Sequence, residues 1–412
     1  MIYTGDVLGL GHVRRNTTIA KRLVAELPDT NVLLLTSVPT ANFFEPLRGI
    51  EFIKLPSVRK LPSGGFCSQA LEIDGAGFWK LRTGVIESVA RHYRPDLVLV
   101  DHLPAGVAGD LLPAVRALRN ASRPPRIVLG LRDVLDDPAE IETRWHDAGI
   151  YRAIDELYDE VLIYGSREVF DTSSVYGLDT RVSTETSYCG YVCAADPPNA
   201  GAGPSQRIET QTSGASSPDY GHSDPPLIVV TAGGGADGFP MMAACVDALH
   251  VHGRRSRARA LLITGPFMPR GERAALRARV EGLDAEVLWC VDESSSYLEQ
   301  ADLVMTMAGY NTLGEAVRLG RRTLVIPRPG PSAEQRIRAE LFAARGLVTG
   351  VGTASSTPEE LARLIGECLD SPPPLTRLPQ RDGLENVVRR LCRHLDATGV
   401  TDVAQAAALV RA

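Results

Sequence analysis

Apolar residues fall in short runs separated by amphipathic stretches, the alternation that strands and crossover helices of parallel sheets produce. In the first half of the chain, Asn31–Thr36, Leu97–Val100, Arg126–Leu131 and Glu160–Tyr164 read as strands. In the second half, Leu227–Thr231, Ala258–Thr264, Glu286–Cys290, Leu303–Thr306 and Thr323–Ile326 do so. Helical spacing follows the glycine turn near the start, where Val13, Ala20, Leu23, Val24 and Leu27 share one face. Two α/β sheets are therefore expected. Between Ala195 and Pro226 the pattern lapses into Pro, Gly, Ser and Asp with almost no large apolar residue, which predicts a linker or a disordered insertion. The expected organisation is a first Rossmann-like domain over 1–195, a linker over 196–225, a second Rossmann-like domain over 226–395 and a tail over 396–412. A last helical stretch, Glu385–Leu395, follows the Ser371-Pro-Pro-Pro break and can pack back on the first domain.

Composition narrows the function classes without choosing one. The 412 residues are 44% hydrophobic and 23% charged, with a formal net charge of -6, values ordinary for a soluble globular protein and adverse to bulk nucleic-acid binding. No apolar run reaches the ~18 residues of a membrane span, and Met1 to Arg15 lacks the order of a signal peptide, so a cytoplasmic protein is expected. Seven Cys without a CxxC pair argue against a disulfide framework or structural zinc. Cys189 and Cys193 read as small apolar residues of a strand.

Three glycine turns carry the candidate chemistry. Gly9-Leu10-Gly11-His12 stands just before a helix, whose unpaired N–H groups suit an anion or a polar oxygen. A dinucleotide fingerprint fits poorly there, because Arg14 occupies the third glycine position; a Walker loop is excluded by the absence of any Gly-Lys dipeptide. Gly233-Gly234-Gly235 follows the Leu227 strand directly and makes a backbone cradle suited to a diphosphate. The third turn is Met307-Ala-Gly-Tyr-Asn-Thr-Leu-Gly-Glu315, followed by Pro327-Arg-Pro-Gly-Pro-Ser-Ala-Glu334-Gln335 and, three residues on, Arg338.

These last two segments resemble the C-terminal donor-binding domain of glycosyltransferase family 28. The Gly9 to Asn16 stretch looks like that group's N-terminal Gly-Gly-His turn, and more closely like a subgroup of predicted glycosyltransferases reading Leu-Gly-His-x-Arg-Arg-Asn. The resemblance implies an α/β architecture of two Rossmann-like domains facing across a cleft, the GT-B type. It implies transfer of a hexose or N-acetylhexosamine from a nucleoside diphosphate sugar, a UDP-sugar first, to an acceptor hydroxyl with inversion. No Asp-x-Asp stands beside the motifs, so neither a metal nor a cofactor is expected; backbone amides would stabilise the leaving diphosphate.

Carried onto this chain, the resemblance makes Glu315 the acceptor of the ribose hydroxyl protons; the competing reading is a capping box, Thr312-x-x-Glu315. Glu334, Gln335 and Arg338 would reach the donor sugar, and Gly233, Gly234, Gly235, Gly309, Asn311 and Thr312 the diphosphate. His12 is the first candidate for the base that takes the acceptor proton, with orientation of its turn or contact with diphosphate as the alternative. Asp101, ending a buried strand, would serve as base, orient His12 or cap its own turn. Gly11, Arg14, Arg15, Arg132 and Asp133 are the acceptor-side candidates, Arg14 and Arg15 either for an anionic acceptor or simply solvated. The expected partners are a nucleotide-sugar and an unidentified hydroxyl acceptor, with peripheral membrane contact left open. Two other readings use the same donor cradle: a nucleotide-sugar hydrolase or 2-epimerase, and a non-catalytic nucleotide-sugar binder. The first strand has only Ile2 to Thr4 before Gly5, which suggests a start codon upstream.

Overall fold

The computed structural model describes residues 1–5, 10–38, 47–61, 65–193, 225–253, 257–291, 294–330, 332–353, 355–380 and 382–397. The sequence-derived linker over 196–225 falls almost wholly outside the described residues, as do Gly9 of the first turn and most of the 396–412 tail. The chain divides into two compact units: Met1–Val192 with Pro331–Ile337 and Pro379–Ala412, and Cys193–Gly330 with Arg338–Leu378.

In the first unit the strands are β1 (Ile2–Thr4), β2 (Val32–Thr36), β3 (Ile50–Lys54), the small hairpin β4 (Val58–Lys60) and β5 (Phe66–Ser68), then β6 (Leu97–Asp101), β7 (Arg126–Arg132), β8 (Glu160–Tyr164) and β9 (Thr186–Tyr188). Seven form one sheet in the order β3-β2-β1-β6-β7-β8-β9, parallel throughout. The second unit holds β10 (Leu227–Thr231), β11 (Arg259–Ile263), β12 (Ala285–Leu288), β13 (Leu303–Thr306), β14 (Arg322–Val325) and β15 (Gly350–Val351). These run parallel in the order β12-β11-β10-β13-β14-β15.

Both sheets reverse strand order beside their first strand, at β1/β6 and at β10/β13. In open α/β sheets that reversal leaves a crevice beyond the carboxyl ends of the two strands, where ligands bind. The physical basis of the layering is plain in β10. Ile228 and Val230 enter one apolar cluster with Met242, Val246 and Leu262, while Leu227 and Val229 enter another with Leu261, Leu298 and Val304. A strand buried on both faces in this way belongs in the interior of a helix-covered parallel sheet.

The nine strands expected from the apolar runs are present, with ends that coincide or move by at most two residues. Those not anticipated are β3, β9 and β15, at the edges of the two large sheets, and the β4–β5 hairpin, and all include half-buried or exposed residues. The final helix, Gly383–Asp396, follows the strands of the second domain in sequence but packs in the first unit against the Gly11–Glu26 helix, the return that its position after the proline break allows. Glu160 explains the placement. This buried strand carboxylate meets Arg390, and His394 Nε2 at 2.8 Å, two residues spaced one helical turn apart on that helix. Burial raises the Glu160 carboxyl, and the hydrogen bond from His394 and the charge of Arg390 more than offset that, so its pKa lies below the ordinary value.

Candidate active site

At the β1/β6 crevice the Gly11–Glu26 helix brings His12 to the end of β6, and His12 Nδ1 lies 2.5 Å from Asp101 Oδ2. Because a carboxylate only accepts, Nδ1 carries the proton and Nε2 is left as the basic nitrogen. Arg15, one turn further along the same helix, donates from one amino group to both oxygens of Asp101 at 2.7 and 2.9 Å. Asp101 is fully buried. Burial alone would raise its pKa, but the Arg15 guanidinium and His12 outweigh it and hold the carboxyl well below the usual carboxylate range. Asp101 thus meets His12 as a carboxylate whose charged form the surroundings favour.

Arg15 does not stand on a solvated face: its side chain is 1% exposed and its guanidinium stacks over the Tyr164 ring, 5.2 Å from the centroid. Its geometry is that of a counter-ion to Asp101. The half-buried Arg14 and the exposed Gly11 remain at the surface of the turn. Asp133 is buried, its Oδ1 accepting from the Val134 amide at 2.7 Å, so it closes its own turn. Arg132 donates to Glu334 Oε1 at 2.8 Å and approaches His102 Nε2 at 3.2 Å, joining two candidates placed 202 residues apart. The Ala333 amide beside Glu334 donates to Asp136 Oδ1 at 2.8 Å. Glu334 and Gln335 are buried at the start of the Glu334–Ala344 helix.

His102 went unassigned in the sequence. It adopts φ 71°, and the Leu103 amide reaches back to the Asp101 carbonyl at 2.9 Å, closing a three-residue turn of the rare left-handed kind. Such a conformation costs a non-glycine residue of order 1–3 kcal/mol, and it is over-determined here by surrounding contacts. The His102 amide donates to Gly130 O at 2.7 Å, and its ring lies 5.0 Å from that of His12. Burial above all, then the Arg132 charge, pushes its pKa well down, so His102 is neutral beside His12. Gly5 is the other concealed requirement: a β-carbon there would stand 2.7 Å from the Asp101 carbonyl oxygen.

At the β10/β13 crevice of the second unit, the loops after the two strands lie side by side. The Tyr310–Arg318 helix opens on Gly309, which is extended (φ -66°, ψ 138°) and forms no side-chain cap. Thr312 is therefore the third helical residue, and the capping-box reading of Thr312 with Glu315 does not hold. Asn311 and Glu315, four apart, share a helix face; Glu315 is 5% exposed and lies past the first turn, not within it. Gly233 faces the same helix start, a β-carbon on it lying 3.8 Å from Thr312 Oγ1. Arg338, expected at the donor sugar, is buried and donates to the Ala308 carbonyl at 2.7 Å with its guanidinium 5.7 Å from the Tyr310 ring centre. It secures the turn that presents Gly309.

The three glycines differ physically. Gly233 and Gly235 both have positive φ, 64° and 84°, but only at Gly235 would a β-carbon collide with backbone, 1.9 Å from the Thr264 carbonyl oxygen. Gly235→Ala should combine about 1–2 kcal/mol of left-handed backbone cost with about 1–3 kcal/mol of overpacking, whereas Gly233→Ala carries the first alone. Chemical denaturation of the two variants checks this; equal losses would show that the turn gives way at Thr264.

Two open parallel sheets, each with a glycine turn and a helix start at its order reversal, define a two-domain Rossmann-type chain of the GT-B class. Solved structures agree over nearly the full length. MurG of Acinetobacter baumannii aligns with a TM-score of 0.54 at 16% identity, covering 95% of this chain and 98% of that one. UGT89C1 of Arabidopsis thaliana aligns at 0.60 and 13% identity, covering 96% and 98%. Residues 227–386 match the glycosyltransferase family 28 C-terminal domain. Curated relatives are UDP-N-acetylglucosamine--N-acetylmuramyl-(pentapeptide) pyrophosphoryl-undecaprenol N-acetylglucosamine transferases. That of Rhodospirillum rubrum is 33% identical over 155 residues, 36% of this chain and 38% of the relative. That of Syntrophotalea carbinolica is 30% identical over 112 residues, 26% and 31%. The matched region spans about a third of the length of these relatives. No helix among the described residues is long and apolar enough to cross a membrane.

Proposed function

We propose that the protein is an inverting glycosyltransferase that moves a hexose or N-acetylhexosamine from a nucleoside diphosphate, UDP first, to an acceptor hydroxyl without a metal. The observation that carries the reading is the His12 Nδ1–Asp101 contact at the first crevice, in a chain whose residues 227–386 match the family 28 C-terminal domain. His12 Nε2 takes the acceptor hydroxyl proton as that oxygen bonds to the anomeric carbon. The bond from that carbon to the diphosphate oxygen breaks on the opposite face. Asp101 stabilises the imidazolium that forms, and Arg15 keeps Asp101 ionised and in place.

On the donor side, amides of the Gly233–Gly235 turn and of the helix opened by Gly309 face the departing diphosphate, and the helix N-terminus adds its partial positive charge. Glu315 accepts from the ribose hydroxyls, and Glu334 with Gln335 meets the donor sugar. The enzyme works in the cytoplasm and meets an acceptor that is either soluble or presented at a membrane surface.

Thermal unfolding with a panel of nucleoside diphosphates and their sugars tests the donor assignment. A ligand at a hundredfold excess over its dissociation constant stabilises the folded state by about 2.7 kcal/mol. A shift confined to one nucleotide family, and lost in Glu315→Ala, is the expected result. Folded protein that responds to no member would remove the donor site. Release of free or isomerised sugar without any acceptor would move the reaction to hydrolysis or epimerisation.

A further inference from the structure

We propose that Arg328 is a diphosphate ligand of the nucleotide site, held on Asp237 until the diphosphate takes that carboxylate's place. The proposal rests on the donor-site reading above and adds a cation to it. Arg328 lies three residues beyond β14 and Asp237 two residues beyond Gly235, and the guanidinium Nη1 stands 2.5 Å from the carboxylate Oδ2. Strand order sets β13 between β10 and β14. The pair therefore links loops on either side of the β13 end, where Gly309 opens its helix. A group bound at the Gly233–Gly235 turn and that helix start lies next to the ion pair.

Charge gives the pair its purpose. A carboxylate two residues from a diphosphate cradle repels the ligand unless a cation neutralises it, and Arg328 does so. The two side chains are 29% and 47% exposed, so solvent screens their attraction and the pair is held weakly. A diphosphate offers the guanidinium two or more anionic oxygens in a geometry its planar fork matches, and it carries more charge than Asp237. Exchange of partners is therefore favourable once the ligand is seated, and Asp237 is released toward water. The turn amides and helix N-terminus supply only partial charges. Arg328 supplies a whole one as negative charge grows on the leaving group.

Isothermal titration separates this role from a structural one. The probe is whichever of UDP, dTDP and GDP shifts the unfolding midpoint of the wild-type protein most, compared with its own nucleoside. Arg328→Ala is expected to weaken the diphosphate about tenfold, which corresponds to about 1.4 kcal/mol, and to leave nucleoside affinity unchanged. Asp237→Asn is expected to tighten the diphosphate, because the competing carboxylate is gone. Arg328→Ala that binds the diphosphate as the wild type does, or that loses diphosphate and nucleoside alike, would overturn the proposal while leaving the donor site standing. Folded wild-type protein that binds none of the three diphosphates would overturn the donor site and this proposal together.

Discussion

His12→Ala should lower kcat by about 10²–10⁴ while leaving the affinity for the nucleotide unchanged, because the lost group acts on the acceptor proton and the residues assigned to the nucleotide, the Gly233–Gly235 turn and Glu315, belong to the other unit. Initial rates of nucleoside diphosphate release with acceptor, set beside donor titration of the same variant, measure both halves of the statement. Asp101→Asn should act differently. It removes the charge that faces His12 and leaves Arg15, 1% exposed, without its carboxylate, so stability falls along with turnover. The Arg15 guanidinium and His12 hold Asp101 well below the usual carboxylate range. Its contribution to stability is fully present above the unfolded carboxylate pKa and is lost only as pH falls through the depressed folded value. An unchanged kcat in His12→Ala would remove the imidazole from the chemistry and reduce the pair to a device that fixes the first turn.

The second large effect is expected on stability rather than on turnover. Arg82 and Asp110 form a fully buried ion pair, Nη2 to Oδ2 at 2.7 Å and Nε to Oδ2 at 2.9 Å. Tyr3 donates its hydroxyl to Asp110 Oδ1 at 2.8 Å and accepts the Val107 amide at 3.0 Å. Arg82 also donates to Ser37 Oγ at 3.1 Å and to the Pro56 carbonyl, so one guanidinium ties four segments of the first unit. Arg82→Met should destabilise the protein by about 3–5 kcal/mol, since the carboxylate is left buried without its cation. Adding Asp110→Asn should recover a large part of that loss, because no uncompensated charge then remains.

Burial already raises the Asp110 pKa against the opposing pull of Arg82. In Arg82→Met it rises further, and the folded state takes up a proton more readily than the unfolded chain. The stability this brings is fully present below the unfolded carboxylate pKa and is lost as pH rises through the folded one. The deficit of the single variant should therefore shrink as pH falls. Denaturant unfolding of the wild type, both singles and the double variant at two pH values measures all of this. A double variant no more stable than Arg82→Met would show that Arg82 matters through its bonds to Ser37 and Pro56 rather than through charge.

The chain's linear pattern determined the interior of both sheets. Strands such as Glu160–Tyr164 and Leu227–Thr231 are buried on both faces, so their central runs, Val161 to Ile163 and Leu227 to Val230, are continuously apolar and announce themselves. The glycine turns were legible for a similar local reason, because positive φ and close backbone approach exclude other residues at Gly235. Edge strands were not legible, since a half-exposed edge such as Thr186–Tyr188 tolerates polar residues. What the tertiary structure alone decided is which charge meets which. Arg15 read as an acceptor-side or solvated arginine and Arg338 as a donor-sugar contact, and both are buried against groups of the protein. Their partners, Asp101 and the Ala308 carbonyl, stand 86 and 30 residues away. Arg328 and Asp237, 91 residues apart, meet only because strand order sets β10 and β14 on either side of β13. Side-chain period follows from local backbone geometry and can be read from neighbours in the chain, whereas ion pairing depends on where separate strand ends arrive in space.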